Sequence, residues 1–88
     1  MNRQERIRQH LASLEPIALE VIDESEQHRG HGGWREGGET HYRVVIRSAL
    51  FDGLSRVERH RRVNDLLKPE FERGLHALAV VARASTEA

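Results

Sequence analysis

The chain has 88 residues, a length that fits one domain around one hydrophobic core. Fourteen Lys and Arg residues balance fourteen Asp and Glu residues, so the strongly basic composition of a small nucleic-acid-binding domain is missing. The lack of cysteine excludes a disulfide scaffold, a thiol nucleophile and a thiolate metal site built from this chain alone. No apolar run approaches the roughly 20 residues of a membrane helix, and the first residues lack a signal peptide's apolar segment. We therefore expect a soluble, cytoplasmic protein.

Two segments have the apolar spacing of amphipathic helices. The first covers residues 2–14 and ends before Pro16, because a proline disfavours helical geometry in the residue that precedes it. The second begins at the capping pair Ser55 and Glu58 and continues to Pro69, after which a short further helix is expected. The apolar residues predicted to face inward from this second helix are Val57, Val63, Leu66 and Leu67.

Three segments alternate in polarity as strands do: residues 17–23, 41–48 and 75–82. Residues 24–40 contain five of the seven glycines, which predicts a loop between the first two strands. The order α-β-β-α-(α)-β predicts an α+β fold, a single domain over residues 1–88 with its core in residues 6–83. We expect a three-stranded mixed sheet with its helices on one face and its last two strands parallel. The tail after residue 83 is predicted to be frayed.

Six histidines are many for a chain of this length. His10, beside the apolar stripe of the first helix, is interpreted as a surface residue. His41, at the start of the second strand and opposite Tyr42, is interpreted as a solvent-facing strand residue rather than a ligand. His60 is predicted to be a hydrogen-bonded histidine at the boundary of the core.

The other three histidines have no obvious structural purpose. His28 and His31 lie in the glycine-rich loop, and His76 begins the last predicted strand after Gly74. Imidazole is a common metal ligand near neutral pH. The loop spacing fits no closed zinc pattern, so two or three histidines would leave coordination positions for a second protein to fill.

The second group of candidate functional residues consists of four arginines on the second helix. They are Arg56, Arg59, Arg61 and Arg62. Such a flank can contact phosphates, although no GxxG clamp or aromatic stacking platform accompanies it. The alternative is a solvated helix face on which Glu58 and Asp65 pair with Arg61.

The sequence offers little for catalysis. No serine lies in a nucleophile-elbow context, and no phosphate-binding loop precedes a helix. We interpret the protein as a non-enzyme without a small-molecule substrate.

Several stretches together resemble the BolA family, from about residue 6 to residue 83. They are Leu19-Glu20-Val21-Ile22-Asp23-Glu24-Ser25 followed by His28, Glu39-Thr40-His41-Tyr42-Arg43-Val44, the run from Phe51 through Gly53, Leu54 and Ser55 to Arg61, and Leu75-His76-Ala77-Leu78. The resemblance implies a fold similar to the class II KH domain, without the nucleic-acid-binding loop of KH domains.

The resemblance also implies a function. BolA proteins are similar in binding monothiol glutaredoxins of the CGFS type and sharing with them a glutathione-ligated 2Fe-2S cluster. The implied ligands are His76 and a loop residue, which is a histidine in a chain without cysteine. His28 occupies the matching position after Ser25, and His31 is its rival because the loop is longer than the family's common pattern. The alternative implied by some bacterial members is a DNA-binding regulator of morphology and stress genes that uses the helix bearing Arg56 and Arg62.

Overall fold

A computed structural model describes residues 1–25, 38 and 40–87. Its helices are α1 (Arg3–Leu11), α2 (Arg56–Leu66) and α3 (Lys68–Glu72), and its strands are β1 (Ala18–Asp23), β2 (His41–Ser48) and β3 (Ala77–Ala84). Short 3₁₀ turns at Ala12–Leu14 and Ala49–Phe51 follow α1 and β2. The predicted α+β order is confirmed. None of the described helices is long and apolar enough to cross a membrane.

The three strands form one mixed sheet in the order β1-β2-β3. β1 is antiparallel to β2, with Val21 opposite Val44. β2 is parallel to β3, with His41 beside Ala77 and Val44 beside Val80. A parallel pair needs a crossover, which α2 and α3 provide. The predicted parallel pairing is confirmed, and it leaves β3 at one edge of the sheet.

The core lies on one face of the sheet, between the strands and the helices. Its largest contributions from the helices are Ile7 and Leu11 of α1, Val63 of α2 and Leu67, all fully buried. The sheet contributes one face of alternating side chains, as predicted for β2: Val21, Tyr42, Val44 and Ile46. Burying this single face joins α1, α2 and the strands in one core.

The predicted cap at Ser55 forms, and α1 has a similar cap at Asn2. The Asn2 side chain accepts a hydrogen bond from the Glu5 backbone N–H at 2.9 Å. The Ser55 hydroxyl oxygen accepts from the Glu58 N–H at 3.1 Å and donates to the Glu58 carboxylate at 3.2 Å. These bonds satisfy N–H groups that have no partner within a first helical turn.

The inward side of α2 differs from the prediction at one residue. Val63 and Leu67 are buried and Leu66 is half-buried, but Val57 is 58% exposed. Val57 and Val63 are six residues apart, about one and two-thirds turns of helix, so they cannot share a face. The prediction for Val57 was wrong because Val57, although apolar, lies at a different angular position around the helix from Val63.

The last strand begins two residues later than predicted. Gly74 has a positive φ of 112°, and the N–H of Leu75 donates to the carbonyl of Glu70 at 2.9 Å. Leu75 is therefore tied to the end of α3 and buried beside it rather than paired in the sheet. As a result His76 lies just before β3, at the point where the chain enters the sheet.

The predicted fraying after residue 83 is wrong for the described tail. The N–H and hydroxyl of Ser85 donate to the Asp52 carboxylate at 2.8 and 2.7 Å. These hydrogen bonds, first that of the Ser85 hydroxyl, lower the pKa of Asp52 from its ordinary value of 3.8. The Glu87 carboxylate accepts from the Ala84 N–H at 2.6 Å. Side chains three or more residues away thus hold the tail against the domain.

Candidate functional site

The two ends of the β1–β2 connection are joined by one serine hydroxyl. The Ser25 hydroxyl donates to the Asp23 carboxylate at 2.5 Å and accepts from the N–H groups of Thr40 and His41 at 3.0 and 3.1 Å. Gly38 packs against this base with a φ of +80°, and a Cβ there would lie 3.2 Å from Asp23 Oδ2. The Asp-Glu-Ser stretch therefore closes the loop at its base.

His76 is anchored by its backbone where this connection ends. The carbonyl of Thr40 accepts hydrogen bonds from the N–H groups of His76 and Ala77 at 2.8 and 3.1 Å. The residue itself is exposed. A fixed backbone with an accessible imidazole suits a ligand offered to a second molecule.

His41 lies against His76 and is not solvent-facing. It is 4% exposed, its Nδ1 is 2.9 Å from the Thr40 hydroxyl, and its ring centroid is 5.3 Å from that of His76, with 53° between the ring planes. The prediction of an exposed strand histidine was wrong, because the parallel register brings the chain entering β3 alongside the start of β2.

A small cavity of about 220 Å³ adjoins this histidine pair on the sheet. The cavity is lined in part by Glu24, His41, Arg43 and Ala77. The Glu24 carboxylate pairs with the Arg43 guanidinium at 3.0 Å. Within residues 1–25, 38 and 40–87, no three His, Cys, Asp or Glu side chains are grouped as a metal site. The described part of the candidate site therefore consists of His76 and the neighbouring His41, while His28 and His31 lie outside the described residues.

The remaining histidines are placed away from this pair. His60 is half-buried on α2, as predicted, but its imidazole makes no hydrogen bond with the described residues. His10 is not a simple surface residue, because it is half-buried and its Nε2 is 3.2 Å from the Glu70 carboxylate. The structure gives neither of them contact with His76.

Glu70 is the centre of a buried charge cluster that the sequence did not indicate. Its fully buried carboxylate accepts from Arg3 Nε and Arg6 Nε, each at 3.1 Å. Burial raises the pKa of this carboxyl, but hydrogen bonds from Arg6, Arg3 and His10 outweigh burial and hold the pKa below its ordinary value of 4.5. The cluster joins α1 to α3 around a fully buried carboxylate.

The arginines of α2 are not equivalent. Arg59 donates to the carbonyls of Leu54 and Ala82 at 3.1 and 3.2 Å and to the Glu87 carboxylate at 2.5 Å. Its side chain is only 13% exposed. Arg56, Arg61 and Arg62 are exposed, and Arg61 forms no ion pair with Glu58 or Asp65. Arg59 therefore has a structural role, whereas the other three remain available to a partner.

Comparison with known proteins gives consistent matches along the chain. A family profile described as BolA-like protein matches residues 11–87. A Sinorhizobium sp protein described as an uncharacterized protein in the cobS 5′ region is 55% identical over 78 residues, which is 88% of this chain and 84% of that protein. The chloroplastic BOLA1 protein of Arabidopsis thaliana is 45% identical over 89 residues, with 98% of this chain covered but only 56% of the relative.

The solved structures agree with the sequence matches. The BolA domain of SufE1 from Arabidopsis thaliana superposes with a TM-score of 0.88 at 46% identity, covering 100% of this chain and 98% of that one. The fold and the sequence thus point the same way, and the chain belongs to the BolA family.

Proposed function

We propose that the protein is an iron–sulfur adaptor that binds a monothiol glutaredoxin of the CGFS type and shares with it a glutathione-ligated 2Fe-2S cluster. His76 and one histidine of the β1–β2 connection, His28 ahead of His31, would be its ligands. In this role the protein has no catalysis of its own and acts in cluster trafficking or iron and redox regulation.

The geometry of His76 carries this proposal. Its imidazole is exposed, and its N–H is bonded to the carbonyl of Thr40 at 2.8 Å. Thr40 is the residue at which the connection containing His28 and His31 returns to the sheet. A metal ion bound by His76 would therefore lie near the base of this connection, which the Ser25 hydroxyl closes.

The donor set fits a shared cluster rather than a resident one. Two-iron clusters are normally held by four thiolates, and histidine can replace two of them on one iron. Since this chain contains no cysteine, a partner and its glutathione would supply every sulfur ligand. When bound, the cluster would supply one-electron chemistry or act as cargo, and this chain's contribution is to position two neutral imidazoles.

The test mixes the protein with a CGFS glutaredoxin reconstituted with its cluster and follows visible absorption and circular dichroism. We expect a spectrum distinct from that of the glutaredoxin alone. His76→Ala should return it to the glutaredoxin spectrum, and His28→Ala should weaken the mixed complex more than His31→Ala does. Acidification should dissociate the complex, because imidazole must be neutral to ligate.

His60→Ala is the matched control, because it also removes one imidazole but from α2, away from His76. We expect this variant to lose some thermal stability and to keep the mixed spectrum. Ligation by His76 is refuted if His76→Ala leaves the mixed spectrum unchanged. A folded His60→Ala variant that has lost the mixed spectrum would instead contradict the structural role of His60.

A second candidate function is DNA binding by α2. It is favoured by the exposure of Arg56, Arg61 and Arg62 on one helix. The zero net charge and the internal bonds of Arg59 argue for weak binding. An electrophoretic shift that depends on Arg62 but not on His76 would separate this activity from the adaptor function.

A further inference from the structure

A groove runs along the outer edge of β3, which is the edge that does not pair with β2. It has a volume of about 480 Å³ and lies between α2 and β3. Its floor includes Val80 and Ala82, and its basic lining residues are Arg56, Arg59, His60 and Arg83. The groove is therefore apolar along the strand and positive around it.

The strand edge in this groove offers backbone hydrogen-bonding groups. The Ala82 carbonyl accepts from Arg59, and the Ala84 N–H donates to Glu87. The backbone N–H and C=O groups of the even-numbered residues of β3 therefore point away from β2. The period of two in a strand places the N–H and C=O groups of Leu78 and Val80 on the same outer edge. No described residue pairs with the backbone of Leu78 or Val80 on that edge. Such an edge is a template for an added strand.

A carboxylate of the chain's own tail occupies one end of the groove. Glu87 Oε1 accepts from the Ala84 N–H at 2.6 Å and from Arg59 at 2.5 Å, although the Glu87 side chain remains 48% exposed. The hydrogen bond from Ala84, and next that from Arg59, lower the pKa of Glu87 from its ordinary value of 4.5. An edge N–H and a guanidinium thus form a position suited to a carboxylate, and an exposed side chain fills it.

We propose that this groove binds an extended acidic segment of a partner protein, which adds as a strand to the outer edge of β3 while one of its carboxylates replaces Glu87. The inference is independent of the iron–sulfur role. Backbone pairing would supply binding energy and the arginines would select acidic side chains. The Glu87 tail competes for the same position and lowers the apparent affinity.

The charge of the groove and the burial of Arg59 favour a peptide over duplex DNA or a second copy of this chain. The guanidinium of Arg59 lies inside the groove and is largely covered, so an extended peptide side chain reaches it and the backbone of duplex DNA does not. Pairing with a second copy would bring the positive linings of two grooves together, and β3 itself contains no acidic residue. Like charges at that contact oppose self-association.

The probe is a fluorescein-labelled, end-blocked peptide, Thr-Glu-Val-Glu-Val-Glu, titrated with the protein by fluorescence anisotropy. One control peptide replaces every Glu by Gln, and another replaces every Val by Pro, which keeps the charge but blocks strand pairing. We expect the acidic peptide to bind, more weakly at high salt, and both controls to bind at least about tenfold less tightly.

Two pairs of variants locate the binding site. Glu87→Gln should strengthen peptide binding by about five- to tenfold, because it removes the competing carboxylate. Glu20→Gln removes the same charge from β1, the opposite edge strand, and should change nothing. Arg56→Gln, inside the groove, should weaken binding by about two- to fivefold, whereas Arg61→Gln, outside it, should not.

Amide chemical shifts in ¹⁵N-labelled protein give a second readout. The N–H groups of Val80 and Ala82, which point outward, should shift more on peptide addition than those of Val81 and Arg83, which point toward β2. The inference is overturned if the Glu87→Gln and Glu20→Gln variants behave alike, if the shifts show no alternation, or if the Pro-containing peptide binds equally well. Dimerisation through β3, or binding of duplex DNA in place of the peptide at these residues, would also overturn it.

Discussion

The hydroxyl group of Ser25 makes three hydrogen bonds at the base of the β1–β2 connection. Ser25→Ala removes the acceptor for two buried N–H groups, those of Thr40 and His41. We expect a loss of about 2 kcal/mol in the free energy of unfolding, because buried donors left without a partner retain their desolvation cost. Urea denaturation followed by circular dichroism measures this change.

Ser13→Ala is the control, because Ser13 is exposed in the turn after α1. Its free energy of unfolding should be within about 0.5 kcal/mol of that of the parent protein, as is usual for surface substitutions. Equal stability of the two variants would show that the Ser25 hydroxyl is not needed to close the connection.

Single residues were predictable where their partners are near in sequence. Asn2 and Ser55 cap helices by binding an N–H three residues ahead, so a local pattern identifies them. The burial of His41 was not predictable in this way, because its cover comes from His76 across a parallel strand pair. The same holds for the bond between His76 and Thr40, the contact on which the proposed ligand depends.

Among the elements, α1 and α3 are joined through the carboxylate of Glu70. Glu70→Gln would remove the buried negative charge that pairs with the guanidinium groups of Arg3 and Arg6. We expect the free energy of unfolding at neutral pH to fall by about 3 kcal/mol, the cost of breaking a buried ion pair on one side. Glu72→Gln, on the exposed face of α3, should have little effect.

The same cluster predicts how stability changes with acidity. The pKa of Glu70 is lower in the folded protein than its ordinary value of 4.5, so the unfolded chain takes up the proton first as the pH falls. The stabilisation is complete above pH 4.5 and is lost as the pH falls through the folded pKa. The stability difference between parent and Glu70→Gln should therefore shrink below pH 4.5, and a constant difference in urea titrations would contradict the role of this charge.

A prediction for α2 concerns nucleic acid. Three exposed arginines, Arg56, Arg61 and Arg62, neutralise at most three phosphates, so the log–log salt slope of DNA binding should be about −3 or shallower. Arg62→Gln should reduce that slope by about one, whereas Arg8→Gln on the exposed side of α1 should not. Fluorescence anisotropy with a labelled duplex at several salt concentrations measures the slope, and a much steeper one would place the contacts elsewhere.

The elements were predictable from periodicity, but their charged contacts were not. The alternation in β2 identified its buried face. Pro69 indicated a break in the second helix, although α2 ends at Leu66 and Pro69 lies in the first turn of α3. The contacts of Glu70 join residues 60 or more positions apart, and no local pattern carries that information. Val57 shows that periodicity can also mislead within an element, because an apolar residue in a helix need not face the core.

At the scale of the whole molecule, α1, α2 and the three strands share one core, and Glu70 joins α3 to α1, so unfolding should be a single cooperative transition. Urea curves from circular dichroism at 222 nm and from the amide signal of Val44, in the central strand, should have the same midpoint. Ser25→Ala and Glu70→Gln should each move both curves together. Separate midpoints would contradict a single cooperative transition.

The overall architecture was predictable because few arrangements bury three strands and their helices around one core. The anchoring of the tail was not, because it depends on Asp52 and Arg59, side chains from the turn and helix that precede β3. Sequence reasoning thus gave the layers and the strand directions, whereas the contacts that fix the ends required the folded chain.

The bond from Thr40 to His76 has a consequence for biosynthesis. During translation the loop histidines and His41 leave the ribosome well before His76, and the N–H that Thr40 accepts does not yet exist. The contact forms only when the crossover through α2 and α3 has emerged and β3 docks beside β2, a non-local closure late in folding. A truncated or stalled chain that ends before residue 76 therefore lacks the anchored His76, so under the proposed function a nascent chain cannot yet offer both ligands.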